Sequence, residues 1–132
     1  FSSSIKDKKK YIENLAQYIG DGRTTLEICL TSNLQTIPDI KTIEEHSFKQ
    51  MREARLSTTI CTDNRLVSRT SVSDELKKAV DAFGITPKEL KDIVIYGFKR
   101  SFFPGTYLVK RRYVRSIINF YEEMEKKFDI KK

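Results

Sequence analysis

Histidine is almost missing from this sequence. His46 stands alone among 132 residues, and a solitary histidine is read first as a cap or a satisfied polar group rather than as a ligand. Cysteine is nearly as scarce: Cys29 and Cys61 each lie inside an apolar, strand-like run. They read as small buried hydrophobes in a reducing, cytoplasmic compartment rather than as a disulfide. No apolar run approaches the roughly 18 residues that a membrane span needs, and no secretory signal pattern opens the sequence, so no membrane partner is expected. There is no internal repeat and no low-complexity stretch apart from a lysine-tipped tail. The first residue is Phe1 rather than Met, as expected of a processed N-terminus or of a sequence that begins partway through a longer chain.

What is present suits one ordinary domain. Hydrophobic residues make up 39% of the chain, with eight phenylalanines and six tyrosines to fill a core, which excludes wholesale disorder. The net charge of +7 raises the question of a nucleic-acid partner. The 25 basic residues are interleaved with 18 acidic ones, however, and solvated helix faces account for that pattern equally well.

In order along the chain, Ile5 to Ile19 reads as an amphipathic helix striped by Ile5, Ile12, Leu15, Ala16 and Ile19 and stopped by Gly20-Asp21-Gly22. Leu26–Leu30 follows as a short strand closing in a turn at Thr31, Ser32 and Asn33, with a loop at Ile37-Pro38-Asp39. A second helix is expected from about Glu44 to Ala54, with Phe48 and Met51 inward and a capping box from Thr42 to Glu45. Ser57–Cys61 is the next strand. The two strands are separated by the length of a strand–helix–strand crossover, which makes them parallel.

Three helices and no further strand come next. The first carries Val72, Leu76, Ala79, Val80 and Phe83 and stops at Gly84. The second starts at the capping box Thr86-Pro87-Lys88-Glu89 and is lined by Leu90, Ile93, Val94 and Gly97; it gives way near Phe102, Phe103 and Pro104. The last runs from about Tyr107 to Phe128, striped by Val114, Ile117, Tyr121, Met124 and Phe128. Two parallel strands leave both edges open, and parallel sheets are stable only with several strands and both faces covered. The chain therefore reads as the closing portion of a larger sheet protein.

Chemistry concentrates in Ser57–Arg69. Thr58, Thr59, Ile60 and Cys61 suit a buried strand, and the chain then turns polar at Thr62, Asp63, Asn64 and Arg65. A carboxylate where a parallel strand ends sits at the mouth of an α/β core. A period of two places Thr59, Cys61 and Asp63 on one face of the strand. Taken alone, Asp63-Asn64 after a strand reads as a turn or a helix cap, and Ser32 and Asn33 as turn formers ahead of substrate contacts at the mouth of the core.

The segments Thr59–Ser68 (TICTDNRLVS), Leu26–Asn33 (LEICLTSN), Thr70–Leu76 (TSVSDEL), Ala82–Leu90 (AFGITPKEL) and Ser101–Pro104 (SFFP) together resemble the adenosine deaminase family, in order and with spacing intact, over about residues 5 to 104. The resemblance implies an α/β fold, the C-terminal part of a (β/α)8 TIM barrel, with Leu26–Leu30 as the seventh strand, Ser57–Cys61 as the eighth and residues 105–132 as a C-terminal helix. It implies a zinc cofactor, with Asp63 as a metal ligand that contacts the attacking water, and Asn64 as a contact to the purine ring. The family often has a second aspartate where Asn64 stands, which widens the range of purines to be considered. It implies a purine nucleoside substrate, and deamination of adenosine to inosine and ammonia. The family's remaining zinc ligands, its proton-shuttling glutamate and the histidine beside the water belong to earlier strands, so the chain by itself is expected to be inactive. His46 matches a position at the start of the helix between the last two strands, where the family commonly carries a structural histidine.

Three alternatives stand beside this. One is a deaminase of another amino-purine, such as a nucleotide, free adenine or a modified nucleoside. Another is a basic helical module built on Lys99, Arg100, Lys110, Arg111, Arg112 and Arg115, whose nucleic-acid affinity would fall steeply with salt. The third is an assembly partner that docks onto a separate chain carrying the first six strands.

Overall fold

A computed structural model describes residues 5–130. Helix α1 (Lys8–Asp21) is capped by Asp7, whose carboxylate accepts from Lys10 N, and leads through Gly22 and Arg23 into strand β1 (Leu26–Ile28). Helix α2 (Leu30–Thr36), a 3-10 turn (Ile43–Glu45) and helix α3 (Phe48–Glu53) connect it to strand β2 (Thr58–Ile60). Four helices follow: α4 (Arg65–Ser68), α5 (Val72–Phe83), α6 (Pro87–Arg100) and α7 (Tyr107–Lys127). The strands pair in parallel, Leu26 with Thr58, Glu27 with Thr59 and Ile28 with Ile60.

Helices α5, α6 and α7 lie where periodicity and caps put them. Ser71 caps α5, and Gly84 ends it in the left-handed conformation (φ +59°) that glycine adopts without a Cβ clash. Thr86 and Glu89 form the reciprocal capping box of α6. The short segments and α1 depart from expectation. Strand β1 ends at Ile28, so Cys29 takes the N-cap position of the next helix and Thr31, Ser32 and Asn33 form the first turn of α2 rather than an open turn. The helix expected over 44–54 is broken at His46 and Ser47, because the His46 ring takes the Phe48 backbone N–H that a continuous helix would use. The α1 helix begins at Lys8 and runs through Gly20 and Asp21; the left-handed residue after it is Arg23 (φ +49°), not a glycine. Strand β2 ends at Ile60 and Asp63 has φ +54°, so the alternation that would carry a face from Thr59 to Asp63 does not reach that residue.

The core joins Ile28, Leu30, Phe48, Ile60, Ala79, Ile85 and Ile93, with Met51, Leu76 and Phe83 against them. Phe48 is fully buried and meets the Phe83 ring edge-on at 5.2 Å. Arg52 on α3 reaches Glu89 on α6 at 2.5 Å and the Phe83 carbonyl at the end of α5 at 3.1 Å, tying α3 to both helices. Helix α7 is held on α6 by Lys91, which bonds Glu122 at 3.2 Å and Glu125 at 2.9 Å.

Much apolar surface stays open. Tyr11, Ile12, Leu15 and Tyr18 of α1 are exposed, as are Leu66, Phe102 and Phe120. The accessible surface of 10010 Å² is about 40% more than the roughly 7,200 Å² expected of a compact 15.4 kDa monomer.

Helix α6 runs so close to β2 that a Cβ at Gly97 would sit 2.6 Å from Thr59 Oγ1. Gly97→Ala should therefore destabilise the chain by about 1–3 kcal/mol through overpacking. Adding Thr59→Ala should recover most of that loss, and urea midpoints of the single and double variants check both.

Candidate functional site

The parallel register brings the C-terminal ends of β1 and β2 side by side, and the Cys61 N–H still donates to the Ile28 carbonyl at 2.8 Å. Beyond that bond the two chains diverge. After β1 the backbone coils into α2. After β2 it passes through the left-handed Asp63 and enters α4, where Asn64 Oδ1 accepts from Leu66 N and Val67 N, both at 3.1 Å. Asn64 is thus a helix N-cap, and its carbonyl oxygen is committed to that cap. Asp63 is exposed, and its Oδ2 accepts from Ser32 Oγ at 2.8 Å.

Three consecutive residues of the first turn of α2 reach three separate parts of the chain. Ser32 goes to Asp63. Thr31 goes to Glu75 on α5, donating from its backbone N–H to Oε2 at 3.1 Å and from its hydroxyl to Oε1. Asn33 Oδ1 bonds His46 Nε2 at 3.0 Å. The Phe48 N–H donates to His46 Nδ1 at 3.0 Å, which fixes the proton on Nε2. His46 is therefore a satisfied structural group, and its burial pushes the imidazole below its ordinary value of 6.5.

Glu75 was not singled out by sequence reasoning. It is fully buried, and besides Thr31 it accepts from the Thr70 hydroxyl at 2.7 Å and from Lys78 Nζ at 3.3 Å. Burial would raise its carboxyl; the bonds from Thr31, Thr70 and Lys78 outweigh burial and hold it below the usual carboxylate range. The signal in the sequence is a glutamate inside the first turns of α5, beside the apolar stripe and directly after the Ser71–Asp74 cap.

Both cysteines are free thiols. Burial and the nearby Asp63 push Cys29 up, and burial, with Glu27 and Cys29 adding, pushes Cys61 up to about 11. Of the basic residues considered for a nucleic-acid face, Lys99 lies over the Tyr96 ring at 5.4 Å and Lys110 donates to the Ser101 carbonyl at 2.6 Å. Among the described residues no group of three His, Cys, Asp or Glu side chains could hold a metal ion. A catalytic zinc site takes three protein ligands or more, and the described residues do not bring such a set together. No helix among the described residues is long and apolar enough to cross a membrane.

A family model described as adenosine deaminase matches residues 2–119. An adenosine deaminase of Mycobacterium sp. (strain KMS) is 39% identical over 98 residues, which are 74% of this chain and 27% of that protein. An adenosine deaminase of Mycobacterium leprae (strain TN) is 42% identical over 90 residues, 68% of this chain and 25% of that protein. Among solved structures, Arabidopsis ADAL complexed with IMP superimposes with a TM-score of 0.70 at 28% identity, covering 86% of this chain and 31% of that one. The Arabidopsis N6-mAMP deaminase MAPDA gives a TM-score of 0.69 at 29% identity, with the same coverage. The chain thus spans about a quarter of the length of the curated relatives it matches, and it corresponds to their C-terminal portion. Its architecture is α/β: two parallel strands with flanking helices, as in an incomplete barrel.

The lone histidine makes its state directly measurable. In 15N NMR, His46 should give the Nε2–H tautomer and titrate below 6.5. An unfolded chain binds the proton first, so His46 should cost the fold stability as the pH falls below about 6.5. A signal titrating above 6.5, or the Nδ1–H form, would contradict this geometry.

Proposed function

The chain belongs to the adenosine deaminase family, and from that premise we propose that it forms the C-terminal part of a zinc-dependent hydrolase that deaminates an amino-purine. The observation that carries this reading is the Ser32–Asp63 bond, which holds a carboxylate at the C-terminal ends of two adjacent parallel strands. That is the end of a β/α barrel from which catalytic side chains project.

Asp63 is proposed as a metal ligand and as the acceptor that orients the attacking water. Zinc, when bound, supplies a water with a pKa near 7 and hence a nucleophile at neutral pH. Each carboxylate oxygen has two acceptor sites, so the bond from Ser32 leaves Asp63 free to offer oxygen lone pairs to the metal and to the water. Asn64 is proposed to contact the purine ring. With its carbonyl engaged by Leu66 and Val67, the group it has to offer is the amide NH₂, a donor suited to a ring nitrogen.

Adenosine is the substrate named for the mycobacterial relatives, and hydrolysis to inosine and ammonia is the first reading. A second is favoured by the Arabidopsis neighbours, one complexed with IMP and another described as an N6-mAMP deaminase: a purine nucleoside monophosphate. In the same proposal, the chain forms one partial domain, with the part up to residue 104 supplying the last two strands and their helices and the part after it a C-terminal helix, seen as Tyr107–Lys127; residues 1–4 and 131–132 of that division lie outside the described residues. The remaining ligands come from upstream strands, and the isolated chain is inactive. A cytoplasmic setting is supported by the two free thiols.

The test is an ammonia-release assay on the complete protein with adenosine, adenine, AMP and N6-methyl-AMP. One of these should be turned over, and Asp63→Ala should lower turnover at least about 100-fold, while the 132-residue chain alone gives none. Full turnover by Asp63→Ala, or zinc-dependent turnover by the isolated chain, would overturn the assignment.

A further inference from the structure

The buried carboxylate of Glu75 takes no part in the chemistry described above, yet it is bonded to the turn that holds Asp63. Resting on the reading of Asp63 as a metal ligand, we propose that Glu75 is a positioning residue for Asp63, acting through Thr31 and Ser32 in the first turn of α2.

Helix α2 begins without a side-chain cap of its own: Cys29 occupies the cap position and makes no capping bond. The first backbone N–H groups of a helix have no partner within it, and a short helix without a cap is poorly fixed. Glu75 meets this need from another element. Its Oε2 accepts the Thr31 N–H at 3.1 Å and its Oε1 accepts the Thr31 hydroxyl. A negative charge at a helix N-terminus is also the favourable one for the helix dipole.

Glu75 is itself immobilised. It has no exposed surface, and its Oε1 also takes the Thr70 hydroxyl at 2.7 Å and Lys78 at 3.3 Å. Lys78 donates in addition to Thr31 Oγ1 at 2.6 Å, so the threonine hydroxyl is fixed from both sides. The residue after Thr31 is Ser32, which is buried and donates to Asp63 at 2.8 Å. A chain of contacts therefore runs from inside α5 to the exposed carboxylate: hydrogen bonds join Glu75 to Thr31, the backbone joins Thr31 to Ser32, and a hydrogen bond joins Ser32 to Asp63, with Asn33–His46 steadying the same turn from its other side. Asp63 lies outside any strand and in a left-handed conformation; the Thr62 hydroxyl bonds its backbone carbonyl at 3.2 Å, and its carboxylate is held by Ser32. Groups that orient metal ligands in this way typically contribute about 10–100-fold to metal affinity or activity.

The experiment uses the complete deaminase that contains this chain and measures zinc affinity of the apoprotein, kcat, KM and melting temperature. Glu75→Gln and Thr31→Val should each weaken zinc binding about tenfold or more and lower kcat with little change in KM. Thr31→Ser, which keeps both donors to Glu75, should restore near-normal zinc affinity. Ile93→Val, a core substitution on α6, supplies the comparison: it should lower the melting temperature while leaving zinc affinity unchanged. If Glu75→Gln and Thr31→Val bind zinc as tightly as the parent and only melt earlier, as Ile93→Val does, Glu75 is purely structural and the proposal fails. Should Glu75→Gln fail to fold, Thr31→Val against Thr31→Ser decides alone. Asp63→Ala is run in parallel: normal zinc binding in that variant sinks the ligand reading itself, whereas loss there with parent-like Glu75→Gln and Thr31→Val sinks only the positioning role.

Discussion

The hydroxyl of Ser32 and the carboxylate of Asp63 join two stretches that come from opposite ends of a strand–helix–strand crossover, and their 2.8 Å bond is the constraint on which the candidate site depends. It exists because β1 and β2 lie parallel and in register, so that both chains leave the sheet at the same end. Past that point the backbone no longer pairs, and side chains take over the work of fixing it. Asn64 caps α4, Ser32 holds Asp63, and Asn33 and Thr31 tie the facing turn to His46 and Glu75. A polar network of this kind, with its members satisfied, specifies one arrangement where hydrophobic contact would allow several.

The same chain is open where a barrel would be closed. Its two strands pair only with each other among the described residues, one face of α1 is exposed, and its surface exceeds that of a compact domain of its mass. Unpaired strand edges are ready to accept further strands. With Asp63 as the proposed metal ligand, the incompleteness of the core and that of the proposed site share one origin. A barrel distributes both its packing layers and its catalytic groups over all its strands, and a segment about a quarter the length of its relatives carries a corresponding share of each.

Long amphipathic elements were legible in the sequence because packing and capping agree there: α5 from Val72 to Gly84, α6 from its Thr86–Glu89 box and α7 from Tyr107 all lie within a residue or two of their expected bounds. The short elements were not. Three-residue strands and the single turn of α4 carry too little periodicity to mark their ends. What decides the first turn of α2 is a carboxylate 44 residues away, Glu75, which no local pattern contains. Asp63 is marked in the sequence by its position after a strand and by resemblance, whereas Ser32, which holds it, carries only the signal of a turn former. Glu75 was missed because a glutamate in the first turns of a helix is ordinarily solvated, and only tertiary structure shows that this one is buried.

The central claim, that Asp63 is presented to a metal, is tested most directly by a crystal structure of the complete protein grown with zinc. The account predicts an Asp63 carboxylate oxygen at about 2.0–2.2 Å from the ion, with Ser32 still donating to that carboxylate. A zinc ion held entirely by other side chains, with Asp63 turned away into solvent, would contradict it.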